Sequence, residues 1–202
     1  MKDETFGFTA RELRFLRSLR PEWRIQEFLD GIDYDVRTEG CRSARRVLHE
    51  RKAQCLDGAL FAAAALRVQG QVPLLMDLEA EYDSDHVLAL FRRNGHWGAM
   101  ARSNFSGLRF REPVFRTLRE LALSYFESYF NLRRQKSLRR YSVAVDLRRH
   151  DDLEWMSGEN EQWGIAERLV EVRHFNLLTP AMRRDLGPVD RRLFEAGKVG
   201  RE

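Results

Sequence analysis

Cysteine is scarce in this chain of 202 residues: Cys41 and Cys55 are its only two. Two thiols do not make the disulfide framework that staples small secreted domains, and a reducing compartment keeps both free. A zinc finger or ribbon is poorly supported as well, because no second cysteine or histidine stands near either at finger or ribbon spacing. No metal and no organic cofactor is expected. Long apolar runs are also missing. Met1-Lys2-Asp3-Glu4-Thr5 leads into no stretch long enough for a signal peptide or a span, so the expectation is a cytoplasmic protein with no membrane partner. Internal repeats, low-complexity tracts and dividing linkers are absent from the pattern. A strong charge of one sign is lacking too: 35 basic and 31 acidic residues leave a formal charge of only +4. Such a surface keeps the chain soluble without choosing a partner for it.

What the chain does contain is core material. Hydrophobic residues make up 43% of it and aromatic residues 11%, enough for one real core at this length. A single domain over residues 1–202 is expected. Its parts are N-terminal helices over 9–40, a core over about 40–147 and a C-terminal helical extension over 151–202.

Helical signals dominate the first third. Thr9-Ala10-Arg11-Glu12 has the form of a capping box before Leu13, Phe15, Leu16 and Leu19. Pro21 starts a second helix with Trp23, Ile25, Phe28 and Leu29 on its apolar side and Gly31 as its stop. A third runs from Ser43 to about Arg51, and a fourth from Cys55 to Val68, ended by Gly70. The period then changes. Residues 72–80, His86–Phe91 and Trp97–Ala101 read as consecutive strands, with Arg92-Arg93-Asn94-Gly95 as a hairpin turn. A loop is expected over 105–113, an amphipathic helix from Thr117 to about Leu132, a further strand over Tyr141–Leu147, and helices from Asp151 onward. The last helix spans Pro188–Ala196, and an earlier one buries Trp163, Ile165, Ala166, Leu169, Val170 and Val172 on one face.

Within this order, Cys55 carries the chemistry. It opens a helix, where the positive end of the helix dipole favours a thiolate. His86 opens the strand Asp85-His86-Val87-Leu88-Ala89-Leu90-Phe91, and a fold that packs helix on sheet brings thiol and imidazole together as nucleophile and base. Plainer readings stand beside this one. A cysteine fills small gaps in cores, a histidine on an apolar strand is commonly a packed one, and Asp57 in the first helical turn is a stabilising charge. Cys41 is read as structural. His49, His96, His150 and His174 are read as surface or local packing residues, with His96 the nearest to reaching a cleft.

Cys55, Asp57, the small-residue helix through Ala65, Gly70, Pro73, His86, Gly95 and Trp97 together resemble the transglutaminase-like superfamily, a rearranged relative of the papain fold. The resemblance covers roughly residues 45 to 105. It implies an α+β fold, a papain-type core in which the catalytic helix packs on an antiparallel sheet, here with extra helices at both termini. It also implies a cysteine that attacks an amide or ester carbonyl and a histidine that takes up and returns the proton. The family's third group is an aspartate four residues after the tryptophan, where this chain has Ala101. Asn104 is the first candidate to orient His86 in its place, with Asp77 and Ser103 behind it. Gln54, Asp57 and Trp97 are candidate supporting groups. The backbone N–H groups of the helix start, next to Gln54, would face an oxyanion, and Trp97 packs or lends its indole N–H.

The function expected is cysteine-dependent acyl transfer or amide hydrolysis on a peptide, protein or small amide substrate. The alternative is a binding or scaffolding module that keeps the fold without the reaction, for which the missing aspartate argues. A lesser alternative is nucleic-acid binding through the basic segment 109–140, whose arginines are interleaved with Phe115, Tyr125, Phe126, Tyr129 and Phe130. That aromatic stripe also has the spacing of a buried helix face. The oligomeric state is left open by the sequence.

Overall fold

A computed structural model of the protein describes residues 5–36 and 40–201. The helices announced by local signals form where those signals stand. Helix α1 (Ala10–Ser18) starts at Thr9, whose hydroxyl accepts the Glu12 N–H while the Glu12 carboxylate accepts the Thr9 N–H at 2.6 Å. A cap of this kind contributes about 1 kcal/mol. Helix α2 (Trp23–Asp30) ends at Gly31, strand β1 (Asp33–Tyr34) follows, and α3 (Ala44–Glu50) is capped by Ser43. Strand β2 (Lys52–Ala53) pairs with β1 in parallel and leads directly into α4 (Cys55–Val68).

Helix α4 is apolar on every side, and Ala59 through Leu66 are fully buried. A helix of that composition must be enclosed. Helices α1, α2 and α3 cover it on one side and the main sheet on the other, and its alanines allow close approach.

The main sheet contains β3 (Leu74–Ala80), β4 (His86–Arg93), β5 (His96–Met100), β6 (Arg111–Phe115), β7 (Leu138–Ser142), β8 (Val145–Asp146) and β9 (His174–Asn176). Their order is β6-β5-β4-β3-β7-β9, with β8 also paired to β3, and every pairing is antiparallel. The hairpin between β4 and β5 turns at Asn94 and Gly95, both at positive φ (52° and 79°), the geometry a two-residue turn demands. Alternation then divides the sheet: Leu75, Val87, Ala89 and Phe91 join the α4 core, while Met76, Leu78, Leu88 and Leu90 face the second core with Tyr125 and Tyr129.

The second half departs from expectation. The helix expected over 117–132 is only α5 (Leu118–Leu123), followed by a short 3-10 turn over Phe126–Ser128. The Ser124 hydroxyl donates back to the Leu121 carbonyl at 2.6 Å, and the Tyr125 and Tyr129 hydroxyls bond to the carbonyls of Arg109 and Ser84, each at 2.8 Å. Side-chain bonds of this kind compete with the helical ladder and draw the chain inward. Part of the expected loop over 105–113 is strand β6, which carries Pro113 and so belongs at the edge where the sheet places it. The strand expected over 141–147 is split into β7 and β8, and three-residue β9 lies where helix was expected.

Helix α6 (Trp163–Glu171) buries Ile165 and Leu169, whereas Trp163 is 49% and Val170 73% exposed, so the apolar face is narrower than the sequence spacing indicates. Helices α7 (Pro180–Arg184) and α8 (Arg191–Gly197) complete the described residues, α8 beginning a turn later than expected, at the Asp190 cap. The fold is a mixed α and β arrangement built on an antiparallel sheet. Among the described residues no helix is long and apolar enough to cross a membrane.

Candidate active site

Helix α4 and strand β4 begin at the same end of the sheet, so their first residues share a cleft. Its volume is about 590 Å³, and Cys55, His86, Asn104 and Gln54 line it together with Tyr34 and Asp85. Ser103 lines it too, so five of the eight residues singled out from the sequence meet in one place.

Cys55 is half-buried; the backbone N–H groups of Val87 and Leu56 are near enough to favour its ionised form, and its sulfur lies 3.9 Å from the Asp85 carbonyl oxygen. The sheet explains the Val87 contact. Residues 86 to 88 of β4 extend past the last rung shared with β5, Ala89 opposite Met100, so that pairing does not use this N–H. The expected thiolate is not the resting form. Burial pushes the thiol up to about 11, with Asp57 and Asp77 adding to the rise, and the two N–H groups offset it only in part. Desolvation here outweighs the helix start.

His86 is buried on the second-core face, edge-on to the Tyr129 ring at 6.4 Å between centroids. Burial lowers its pKa to about 4, so the ring is neutral at pH 7. Nε2 lies 2.8 Å from the Leu108 carbonyl oxygen. A carbonyl only accepts, so Nε2 carries the proton and Nδ1 keeps the lone pair. The bond expected from Asn104 to orient the ring thus comes, at Nε2, from the backbone of Leu108. Among the described residues no hydrogen bond joins the Cys55 sulfur to the His86 ring.

Ala101, where the resemblance leads one to expect an aspartate, lies on the His86 face of the sheet in the second core, and its N–H and carbonyl are both bonded by the Gln26 amide at 3.1 and 3.0 Å. Ser103 accepts the Phe105 N–H.

Asp57 and Trp97 have other roles. The Asp57 carboxylate is buried, caps α4 at the Gln54 N–H (3.1 Å), and takes the Arg42 N–H (2.9 Å) and guanidinium (3.2 Å). It is a structural anchor. Trp97 pairs with Arg92 at the far end of β4, which puts it about 20 Å of strand from His86 and out of reach of the sulfur. Arg92 lies over its ring at 4.7 Å. His96 sits at that same far end, on the Asn94 carbonyl.

Two features of the interior carry no sequence signal. Buried Arg42 bridges Asp35 (2.6 Å), Glu50 (2.6 Å) and Asp57. His174, expected at the surface or in local packing, is buried against Asp77 at 3.0 Å, with Nδ1 on the Val172 carbonyl at 2.8 Å. The partners are 97 residues apart, and no spacing rule connects them. Cys41 is buried, as a structural thiol should be, and burial raises its pKa strongly. Several arginines of the basic segment are engaged by the molecule itself: Arg111 lies 4.0 Å over the Tyr125 ring, Arg119 and Arg134 bond the Leu177 and Val189 carbonyls, and Arg139 pairs with Glu81, while Arg116 and Arg133 are exposed. Among the described residues no cluster of side chains is arranged to hold a metal ion.

Compared with protein-family models and with curated proteins, the chain matches none. The likeness to transglutaminase-like proteins rests on its own residues and their order.

Proposed function

We propose that the protein is a cysteine-dependent acyl-transfer or amide-hydrolysing enzyme with a transglutaminase-like core over about residues 40–147, forming one domain and acting in the cytoplasm on a peptide, protein or small amide. The observation that carries the reading is the shared cleft of Cys55 and His86, with Nδ1 of the ring left as the basic nitrogen. The pair rests neutral. When a carbonyl carbon meets the sulfur, the thiol proton passes to Nδ1, the S–C bond forms, and the imidazolium returns that proton to the departing amine or alcohol. Water or a second amine then cleaves the thioester. The N–H groups of the α4 start would stabilise the oxyanion.

A second reading, a binding module without the reaction, is favoured by the thiol contacting Asp85 and the ring contacting Leu108 rather than each other. Acylation by p-nitrophenyl acetate, followed by mass spectrometry of the intact protein, separates the two. The enzyme gains one acetyl group on Cys55 and loses at least about a hundredfold in rate in His86→Ala, the usual scale of general-base catalysis. Equal rates in the two proteins would establish the binding module.

A further inference from the structure

The start of α4 is held by one cation. Arg42 lies just before α3 and is buried, and its three nitrogens reach three different parts of the molecule. Nη2 meets Asp35, which lines the cleft beside Tyr34, Nε meets Glu50 at the end of α3, and Nη1 meets Asp57 in the first turn of α4. The Arg42 backbone N–H also bonds Asp57, whose other oxygen caps the helix at Gln54, the residue before Cys55. Gln54 in turn donates to the Asp35 carbonyl at 3.0 Å, which closes a ring of contacts around the entrance to the sulfur. A planar fork matches this use, because it fixes direction as well as charge.

We propose that Arg42 is the positioning residue of Cys55: through Asp57 and Asp35 it fixes the first turn of α4 and the facing wall of the cleft, and thereby governs the reactivity of the sulfur. The inference rests on Cys55 being the nucleophile proposed above. Its electrostatic side is simple. Asp57 opposes ionisation of the thiol, and Arg42 offsets that carboxylate. The other groups within electrostatic reach of Cys55 are Asp77 from β3, Tyr34 at the end of β1, Tyr129 from the second core and Cys41, with His86, Asp83, Asp85 and Arg201 lining the same cleft. Of these, Asp77, Tyr34, Tyr129 and His86 make no hydrogen bond or ion pair with Arg42 among the described residues, whereas Cys41 is its chain neighbour and also feels Asp57.

The test is the pH profile of iodoacetamide alkylation at Cys55, read by mass spectrometry against the same variants unfolded in urea as the reference for an ordinary thiol, in native protein and three variants. Asp57→Asn removes the opposing charge and should speed alkylation near pH 9 by about tenfold, whereas Arg42→Met should slow it by a similar factor, a one-unit shift each way. Arg42→Lys, which keeps charge and loses the fork, should fall between Arg42→Met and the native protein. A purely structural role moves melting temperature without moving the profiles in opposite senses. If Arg42→Met does not fold, Asp57→Asn and Arg42→Lys decide the matter, and an unmoved profile in both overturns the proposal. Opposite shifts support it whatever the ester assay returns, and coincident profiles overturn it even where acylation depends on His86.

Discussion

The two faces of the main sheet each bury one histidine-bearing contact, and they settle it differently. On the α4 side, Asp77 is answered by His174, whose ring uses both nitrogens, Nε2 on the carboxylate and Nδ1 on the Val172 carbonyl. On the other side, His86 has one nitrogen on the Leu108 carbonyl and the second left as a lone pair beside a cleft. Nδ1 of His174 must carry a proton, because a carbonyl only accepts. Its Nε2 therefore shares a proton with Asp77, whose pKa burial raises to about 6 despite that partner. A ring engaged at both nitrogens holds two strands together. A ring engaged at one has a site free to take a proton from a substrate or a thiol.

The sharpest way to break this comparison is to exchange the roles in the ester assay. His86→Gln should cost Cys55 acylation at least about a hundredfold, while His174→Gln should leave it within about twofold. A large loss at both positions would show that the buried pair takes part in the chemistry. The second effect is on stability and runs the other way. His174→Leu leaves Asp77 buried without its partner and should destabilise the fold by about 3 kcal/mol in urea unfolding. The double variant Asp77→Leu/His174→Leu should recover much of that, since apolar replacement of a whole buried pair is often neutral.

Third in size is a pH dependence. The His86 pKa falls from 6.5 unfolded to about 4 folded, so the unfolded chain binds more protons between those values. The stability tied to its neutral form is complete above pH 6.5 and is lost as pH falls through about 4. The full span is on the order of 3 kcal/mol. Asp77 has the opposite sign: raised from 3.8 to about 6, it contributes stability below pH 3.8 that is lost as pH rises through about 6. Melting temperature measured from pH 4 to 7 in native protein and His86→Gln should therefore differ in slope, with the variant the flatter on the acid side. Parallel curves would contradict the burial of a neutral ring. The smallest effect tests the family likeness: Trp97→Phe should leave the acylation rate within about twofold, because the indole lies at the other end of β4.

How much of this was legible before folding depends on the range of the interaction. The capping box at Thr9, the stops at Gly31 and Gly70, and the Asn94-Gly95 turn are written within four residues of one another, and each stands where the sequence puts it. Cys55 and His86 were legible for a related reason, each being the first residue of a strongly patterned element. Asn104 and Gln54 do reach the cleft, whereas Asp57 is a cap and Trp97 belongs to the distant hairpin end. Between Thr117 and Leu132 the apolar spacing is helical, yet the tyrosines reach carbonyls from other parts of the chain and the helix stops at Leu123. No local signal marks Arg42, because its carboxylates lie 7, 8 and 15 positions away.

By itself, then, the sequence determined the elements whose hydrogen bonds and apolar faces are local: the four N-terminal helices, the central hairpin, the placing of a thiol and an imidazole at the heads of neighbouring elements. Tertiary structure decided the protonation states and the partners. Burial overrides the helix dipole at Cys55 and holds His86 neutral, and the Leu108 carbonyl takes the ring nitrogen for which the sequence offered Asn104. Desolvation and long-range contact exist only once the core has closed, and no window along the chain contains them.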